Sequence, residues 1–379
     1  SNALALRAGC NIPQAARNPQ VERLQRAPLL HFAQQSLRLA GTRFADDATP
    51  EEIASLALQE PHANRMNIGI SAEGAFNRPG DFPNVLSNLA NIIMLEGIAR
   101  ADSPFEQWTG RVADDLADFH PAPMTRVGEA DELDEVLDDE AFKELKISEE
   151  LMSYLQLGRY GNHVKLTPIM VAQDKVGTFR EQLWGLGGAH ETKLNRLCLS
   201  IHTGNPTLLV DGNALYDDTN HGNIITSGGG APSDSTWEAM ELKYWAQRQI
   251  GTTPYQGGRL AVALVPPKWA RAAEQTFARL SDLLETKQPV TDATVNVYRG
   301  KVKVVVDAEL QRSSTTIWYG MADPMRRPTV KVAYFRGWGR NGKRERWYDP
   351  ATKCQCFSLE GRFGAAASDY RTTVRNPGQ

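Results

Sequence analysis

Residues 174–203 read DKVGTFREQLWGLGGAHETKLNRLCLSIHT, and the rest of the chain arranges itself around this stretch. Phe179, Leu183, Leu194, Leu197, Cys198 and Ile201 recur at helical spacing, and Gly204 with Pro206 supplies a stop. The pattern predicts the longest helix of the chain over 174–203. Its middle holds Gly185, Gly187 and Gly188, each about 1 kcal/mol worse than alanine inside a helix. Glycines persist there if a second backbone packs closely, so another element is expected to cross at this point.

Downstream, the sequence turns to mixed α/β character. The spacing predicts a helix opened by Ser235-Thr236-Trp237-Glu238 as a capping box and ended at Gly251, a buried strand over 260–265, and a helix over 267–284 with Trp269, Ala273, Phe277 and Leu280 inward. Residues 295–298 and 302–306 read as a hairpin through Arg299-Gly300, and 315–319, 329–335 and 353–359 as strands. Upstream, Thr49-Pro50-Glu51-Glu52 is a capping box with proline at the first helical position. Residues 64–80 read as loop. A helix over 81–96 has Val85, Leu89, Ile92 and Ile93 on one stripe, and Gly97 is expected to end it.

Charge is strongly segregated although the whole chain of 379 residues carries only −3. Residues 1–43 hold six arginines against Glu22, a net +5, with little apolar area, as in an arm rather than a domain. Residues 114–150 hold fourteen acids against three bases, a net −11, which repels itself and projects into solvent or toward a basic partner. Strand-like alternation over 152–167 makes the acidic stretch part of a long hairpin. Residues 326–346 hold eight bases against Glu345, a net +7.

Composition excludes several classes. At 41% apolar and 23% charged residues the chain is neither collagenous nor wholly disordered, and no run of 18 apolar residues offers a membrane span. A near-neutral charge argues against a dedicated nucleic-acid binder. Four cysteines make no disulfide framework, and Cys354-Gln355-Cys356 is one residue short of a zinc-ligand pair; a reducing compartment and no structural metal are expected. The chain begins Ser1-Asn2-Ala3, as an expression scar or removal of an upstream segment leaves it, and Leu4 to Leu6 is too short for a signal peptide.

Catalytic patterns fall short. His190-Glu191-Thr192-Lys193 opens like a zincin helix, but Leu194 stands where the second histidine is required. Asp217-Asp218-Thr219-Asn220-His221 lacks calcium-loop spacing and reads as a turn. Gly228-Gly229-Gly230 is followed by no Lys-Ser/Thr and reads as a flexible connector. No catalytic, metal or cofactor residue is expected.

Asp81-Phe82-Pro83-Asn84-Val85-Leu86-Ser87-Asn88-Leu89-Ala90-Asn91 resembles a segment of the major head subunit of Mu-type tailed phages. Further pieces follow in the same order: Phe105-Glu106-Gln107-Trp108-Thr109 with Asp118-Phe119, Asn205-Pro206, Asp211-Gly212-Asn213-Ala214-Leu215-Tyr216, Asn220-His221-Gly222-Asn223, Asp369-Tyr370-Arg371, and Asn376-Pro377-Gly378. The resemblance spans about residues 28–379. It implies an α+β chain with the Hong Kong 97 capsid fold: an N-terminal arm (1–80), a joining helix (81–107), an extended acidic loop (108–172), a peripheral domain with a spine helix (173–205), an axial domain (206–327), and a return to the peripheral domain (328–379). The 129–150 stretch is more acidic than the family pattern.

The function so implied is that of a major capsid protein, not an enzyme, assembling with itself into hexamers and pentamers of an icosahedral shell around double-stranded DNA. Scaffold, prohead protease and portal are the implied partners, with a decoration protein besides; the location is the virion, assembled in the bacterial cytoplasm. An encapsulin-like compartment and, distantly, a metal-dependent hydrolase on His190, Glu191 and His221 are the alternatives. Charge segregation sets the expected contacts between subunits: Asp131, Glu132, Asp134, Glu135, Asp138, Asp139 and Glu140 of one copy against Arg326, Arg327, Arg336, Arg340, Lys343, Arg344 and Arg346 of another, or against the basic arm. Arg7, Arg17, Arg23 and Arg26 are expected to face packaged DNA through non-specific phosphate contacts.

Overall fold

The computed structural model describes residues 4, 7, 27–39, 48–59, 82–101, 103–128, 144, 147–251, 255, 257–278, 298 and 300–378. In chain order these form α1 (Leu29–Leu39), α2 (Pro50–Leu58), α3 (Phe82–Arg100), β1 (Gly110–Arg111), β2 (Ala122–Val127), β3 (Glu149–Leu155) and β4 (Gly158–Leu166). Next come α4 (Pro168–Ala172), α5 (Val176–Gly204), α6 (Asp234–Trp245), β5 (Leu260–Val265), α7 (Ala270–Ala278), β6 (Lys303–Val306) and β7 (Trp318–Ala322). The last strands are β8 (Val330–Tyr334), β9 (Lys343–Asp349), β10 (Cys354–Ala367) and β11 (Thr373–Asn376). The chain divides into two compact units, one of residues 1–102, 159–192 and 340–361, the other of 103–158, 193–339 and 362–379.

The first unit packs helices on a sheet. The opening residues of β10 pair antiparallel with β9, and β4 is the neighbour of β10 in the same sheet. Phe357 and Leu359 on one face of β10 share a core with Leu86 and Ile93 of α3, Phe179 and Leu183 of α5, and Ile53 and Leu58 of α2. The stretch 1–43 adds Leu4, Leu29, Ala33 and Leu37 to that core, so these four residues dock within this unit. The Thr49 capping box is formed as expected, Thr49 Oγ1 accepting from the Glu52 amide and Glu52 accepting from the Thr49 amide.

Gly97 does not end its helix. It lies inside α3, which runs on to Arg100, because it marks a crossing: a Cβ there would stand 2.7 Å from the Trp184 carbonyl oxygen of α5. Reciprocally, a Cβ on Gly187 would meet the Met94 oxygen at 2.5 Å. The close approach expected from the glycine run is therefore real at Gly187, whereas Gly185 and Gly188 face open space.

The second unit holds a four-stranded sheet of order β11-β7-β5-β6, in which β5 runs parallel to β6 and antiparallel to β7. Trp237 of α6 stacks on Trp318 of β7 with centroids 6.2 Å apart and takes Phe277 of α7 edge-on at 4.7 Å. β6 thus pairs with β5; of the expected 295–306 hairpin, residues 295–297 and 299 lie outside the described residues, as does 64–80. The cap of α6 is Ser233 with Thr236, not Ser235 with Glu238, because this register turns Trp237, Met240, Glu241 and Tyr244 inward together. That helix ends at Trp245, where the Ala246 amide donates to the Leu242 carbonyl. The helix expected over 267–284 is a 3₁₀ turn at Pro267–Trp269 leading into α7, with 279–284 outside the described residues. β7 sits three residues later than the expected 315–319 strand. Among the described residues no helix is long and apolar enough to cross a membrane.

Candidate functional site

Glu191, His190, His202 and His221 are buried and tied into internal contacts, whereas Asp217–Asn220 form a partly exposed turn. Within the first unit Glu191 is wholly buried and receives a two-pronged hydrogen bond from Arg340, Nε at 3.1 Å and Nη2 at 2.8 Å. His190 Nε2 lies 2.8 Å from the Arg340 carbonyl oxygen, and burial, against the pull of that hydrogen bond, lowers the imidazole below its usual pKa. The pair locks the turn around Arg340 onto α5.

In the second unit, His202 Nδ1 is 2.5 Å from the Tyr216 hydroxyl, which also bonds Thr373 at 3.0 Å, and complete burial pulls the imidazole down to about 3. Asp217 accepts the amides of Thr219 and Asn220 at 2.8 Å each, the turn expected of 217–222. Among the described residues no three His, Cys, Asp or Glu side chains stand together as a metal site would need.

The hairpin that carries the acidic run is anchored by the fragments on which the family resemblance rests. β2 and β3 pair antiparallel from Ala122↔Leu155 to Val127↔Glu149, and Gly128 N–H donates to the Ser148 carbonyl at 2.7 Å. From the chain's other end, Asp369 meets the Arg126 guanidinium, and Arg371 reaches Glu150 through two hydrogen bonds of 2.9 and 3.3 Å. Tyr370 between them stacks on His221 at 3.8 Å, and His221 Nε2 lies 2.6 Å from the Asp211 carboxylate. Burial raises the Asp211 pKa, but hydrogen bonds from Asn213 and His221 outweigh it and hold the carboxyl below its ordinary value. Asn223 Nδ2 donates to the carbonyls of Leu215 and Tyr370 at 2.8 and 3.2 Å. Three of the quoted fragments thus build one polar knot under the hairpin root. Sequence reading registered them only as tokens in order; the long separations hide that they touch.

Gly229 and Gly230 of the glycine run are packed against the chain's later residues, so the run is more than a flexible connector, while Gly228 faces open space. A Cβ on Gly229 would meet Pro377 at 2.8 Å, the Gly230 amide donates to Asn376 Oδ1 at 3.2 Å, and Trp318 Nε1 donates to the Gly230 carbonyl at 2.9 Å. Gly378 has φ 69° and faces the Thr316 carbonyl, so the Asn-Pro-Gly fragment is locked in place.

The basic stretch does not present one surface. In the second unit Arg326 and Arg336 are exposed, and Arg327 donates to the Gly257 carbonyl at 2.8 Å. In the first unit Arg340 is committed to Glu191, and alternation along β9 turns Arg344 and Arg346 toward the helices, where Arg346 bonds Asn84 at 2.6 Å. Lys343 faces outward, 2.6 Å from Glu345. Arg7 binds Asp174 and donates to the Ala27 carbonyl at 2.5 Å, while Asp174 also accepts the Leu29 amide at 2.8 Å. Arg17, Arg23 and Arg26 lie outside the described residues, as do Asp131, Glu132, Asp134, Glu135, Asp138, Asp139 and Glu140.

No family model matches this chain, and no curated protein matches it. Solved structures do. A chain from the capsid of Ralstonia phage GP4 superposes with a TM-score of 0.50 at 10% identity, covering 74% of this chain and 92% of that one. The capsid of cyanophage P-SCSP1u gives 0.47 at 10% identity over 73% and 88%, and that of Myoviridae phage XM1 gives 0.45 at 12% over 74% and 92%. The chain has the α+β fold of phage capsid proteins, the Hong Kong 97-like fold.

Proposed function

We propose that this protein is the major capsid subunit of a tailed phage or prophage, self-assembling into the shell around a double-stranded DNA genome. The observation that carries the reading is the superposition on the Ralstonia phage GP4 capsid chain, which extends over 92% of that chain. The resemblance of the ordered fragments to Mu-type head subunits supports placing it in that subfamily, and the same reading takes scaffold, prohead protease and portal as partners, a decoration protein besides, and the virion as location. The reading makes the protein structural and not catalytic, as the internal ties of His190, Glu191 and His221 favour.

The acidic residues 131–140 then meet basic residues of a neighbouring copy. Arg326, Arg336 and Lys343 are the exposed members of the basic stretch; Lys343 is already paired with Glu345, which leaves Arg326 and Arg336 as the ones suited to that role. Each exposed pair contributes about 0–1 kcal/mol, but repetition over a shell fixes register. Arg17, Arg23 and Arg26 are the arm cations offered to DNA phosphates.

Negative-stain electron microscopy beside light-scattering mass, across low and moderate salt, tests the reading. Closed shells, or rings of five or six, are expected. A particle-free monomer under every condition, whose experimentally determined structure also lacks the long helix 176–204 and the 122–155 hairpin, refutes it; a monomer that keeps both points to assembly that needs the scaffold.

A further inference from the structure

The outward face of the first unit's sheet carries a trough of about 390 Å³ that nothing above uses. Its floor is made by the two residues with least side chain, Gly161 on β4 and Ser358 on β10. A Cβ on Gly161 would already press on the Leu359 carbonyl at 3.2 Å, so the floor stays bare. One wall is an indole: Trp347 of β9 is 40% exposed and leans on His163 of β4, ring centroids 5.4 Å apart at 57°. Trp347 sits opposite the small Cys356 in the β9–β10 register, which lets the ring lie across the sheet toward His163. Glu345, Asn162 and the Arg159–Glu360 pair supply hydrogen-bonding groups around the rest of the rim.

The charges on this face cancel locally. Arg159 holds Glu360 by two bonds of 2.7 and 2.8 Å, Lys165 holds Asp349 at 3.1 Å, and Lys343 holds Glu345 at 2.6 Å. Three cations against three anions leave no net field to recruit an acidic or basic partner. Besides Trp347 the lining includes one large apolar residue, Leu359, and its side chain is buried in the core on the other face of β10, so the trough lacks the hydrophobic centre that a protein interface needs. What it offers is a flat, anchored aromatic surface ringed by paired donors and acceptors in a concavity of ligand size. A neutral, hydroxyl-rich ring with one apolar face satisfies both requirements.

We propose that this trough is a saccharide-binding site, a sugar ring stacking on Trp347 with its hydroxyls bonded to Glu345, Asn162 and the Arg159–Glu360 pair. Because the ligand is uncharged, binding is insensitive to ionic strength, unlike any contact made through the acidic or basic stretches.

Saturation-transfer NMR and calorimetric titration of the full-length protein with neutral hexoses, N-acetylhexosamines and their short oligomers test it. The expected result is saturation transfer to at least one sugar class, unchanged between roughly 50 and 500 mM salt. Trp347→Ala is expected to weaken that binding at least about 10-fold and Trp347→Phe to retain most of it. Ser358→Phe, which fills the floor while leaving the indole, abolishes it; a thermal transition equal to the parent's verifies that each variant is folded. Absence of transfer to every sugar, equal binding by the Trp347→Ala protein, or affinity that falls with salt each overturns the proposal.

Discussion

Arg340 is the residue for which sequence and structure disagree most usefully, and replacing it by alanine separates the two accounts. Counted as one of eight bases in a +7 stretch, it belongs to a surface that meets a neighbour. In the structure its guanidinium donates two hydrogen bonds to Glu191, whose carboxylate has no exposure to water. Removing one partner of a buried, doubly hydrogen-bonded pair strands the other charge and typically costs about 3–5 kcal/mol, far above the ~0–1 kcal/mol of an exposed pair. For a unit of this size each kcal/mol lowers the midpoint by roughly 2–4 °C, so Arg340→Ala should melt about 6–20 °C below the parent. The penalty should shrink only in part between roughly 50 and 500 mM salt, since Glu191 is buried although the Arg340 side chain is 32% exposed. Lysine at 340 keeps the charge but loses the fork and should fall between. Unfolding of unassembled subunits, followed by circular dichroism in urea, reads the effect without the shell. A change below about 1 kcal/mol, or one that disappears at high salt, refutes the buried-pair argument and returns Arg340 to the surface.

Further outcomes follow from the same geometry. Gly187→Ala should destabilise by more than about 1 kcal/mol because its Cβ collides with the Met94 carbonyl, whereas Gly188→Ala, facing open space, should stabilise by up to about 1 kcal/mol; equal effects in a urea titration would remove the helix crossing. His202 titrates near 6.5 in the unfolded chain and near 3 in the folded one, so the unfolded state takes up the proton first and stability falls as pH drops through that window. By pH 5 the loss is about 2 kcal/mol from this group, and His202→Gln should flatten the stability profile between pH 6.5 and 4; an unchanged slope counts against it. Arg371→Ala removes both bonds to Glu150 and should cost about 2 kcal/mol, read as faster hydrogen exchange in β2 and β3 with β5 unaffected.

The fold was legible where the signal is local. The Thr49 box, the strand 260–265 and the long helix follow from capping chemistry and apolar period, and the structure has all three. Errors arose where one residue type serves two purposes. Gly97 was expected to stop a helix, but glycine also permits two backbones to touch, and only the partner's position tells these apart. Ser233 and Ser235 both offer a capping hydroxyl, and burial of Trp237 and Tyr244 chose the first. Charge counting treated 326–346 as one basic patch, whereas strand alternation sends Arg344 and Arg346 inward and a buried glutamate claims Arg340. The polar knot was invisible for another reason: Arg126, Glu150, His221 and Tyr370 meet only through the tertiary fold.

That knot has a consequence in time. Glu150 and Arg371 are 221 residues apart, so at about 5–20 residues per second the ribosome delivers Arg371 roughly 10–45 s after Glu150. Throughout that interval the root of the acidic hairpin lacks its clamp. A chain cut short by premature termination or proteolysis never acquires it, and would carry its acidic hairpin on an unclamped root. The hairpin root therefore closes only in chains whose translation has run to Arg371.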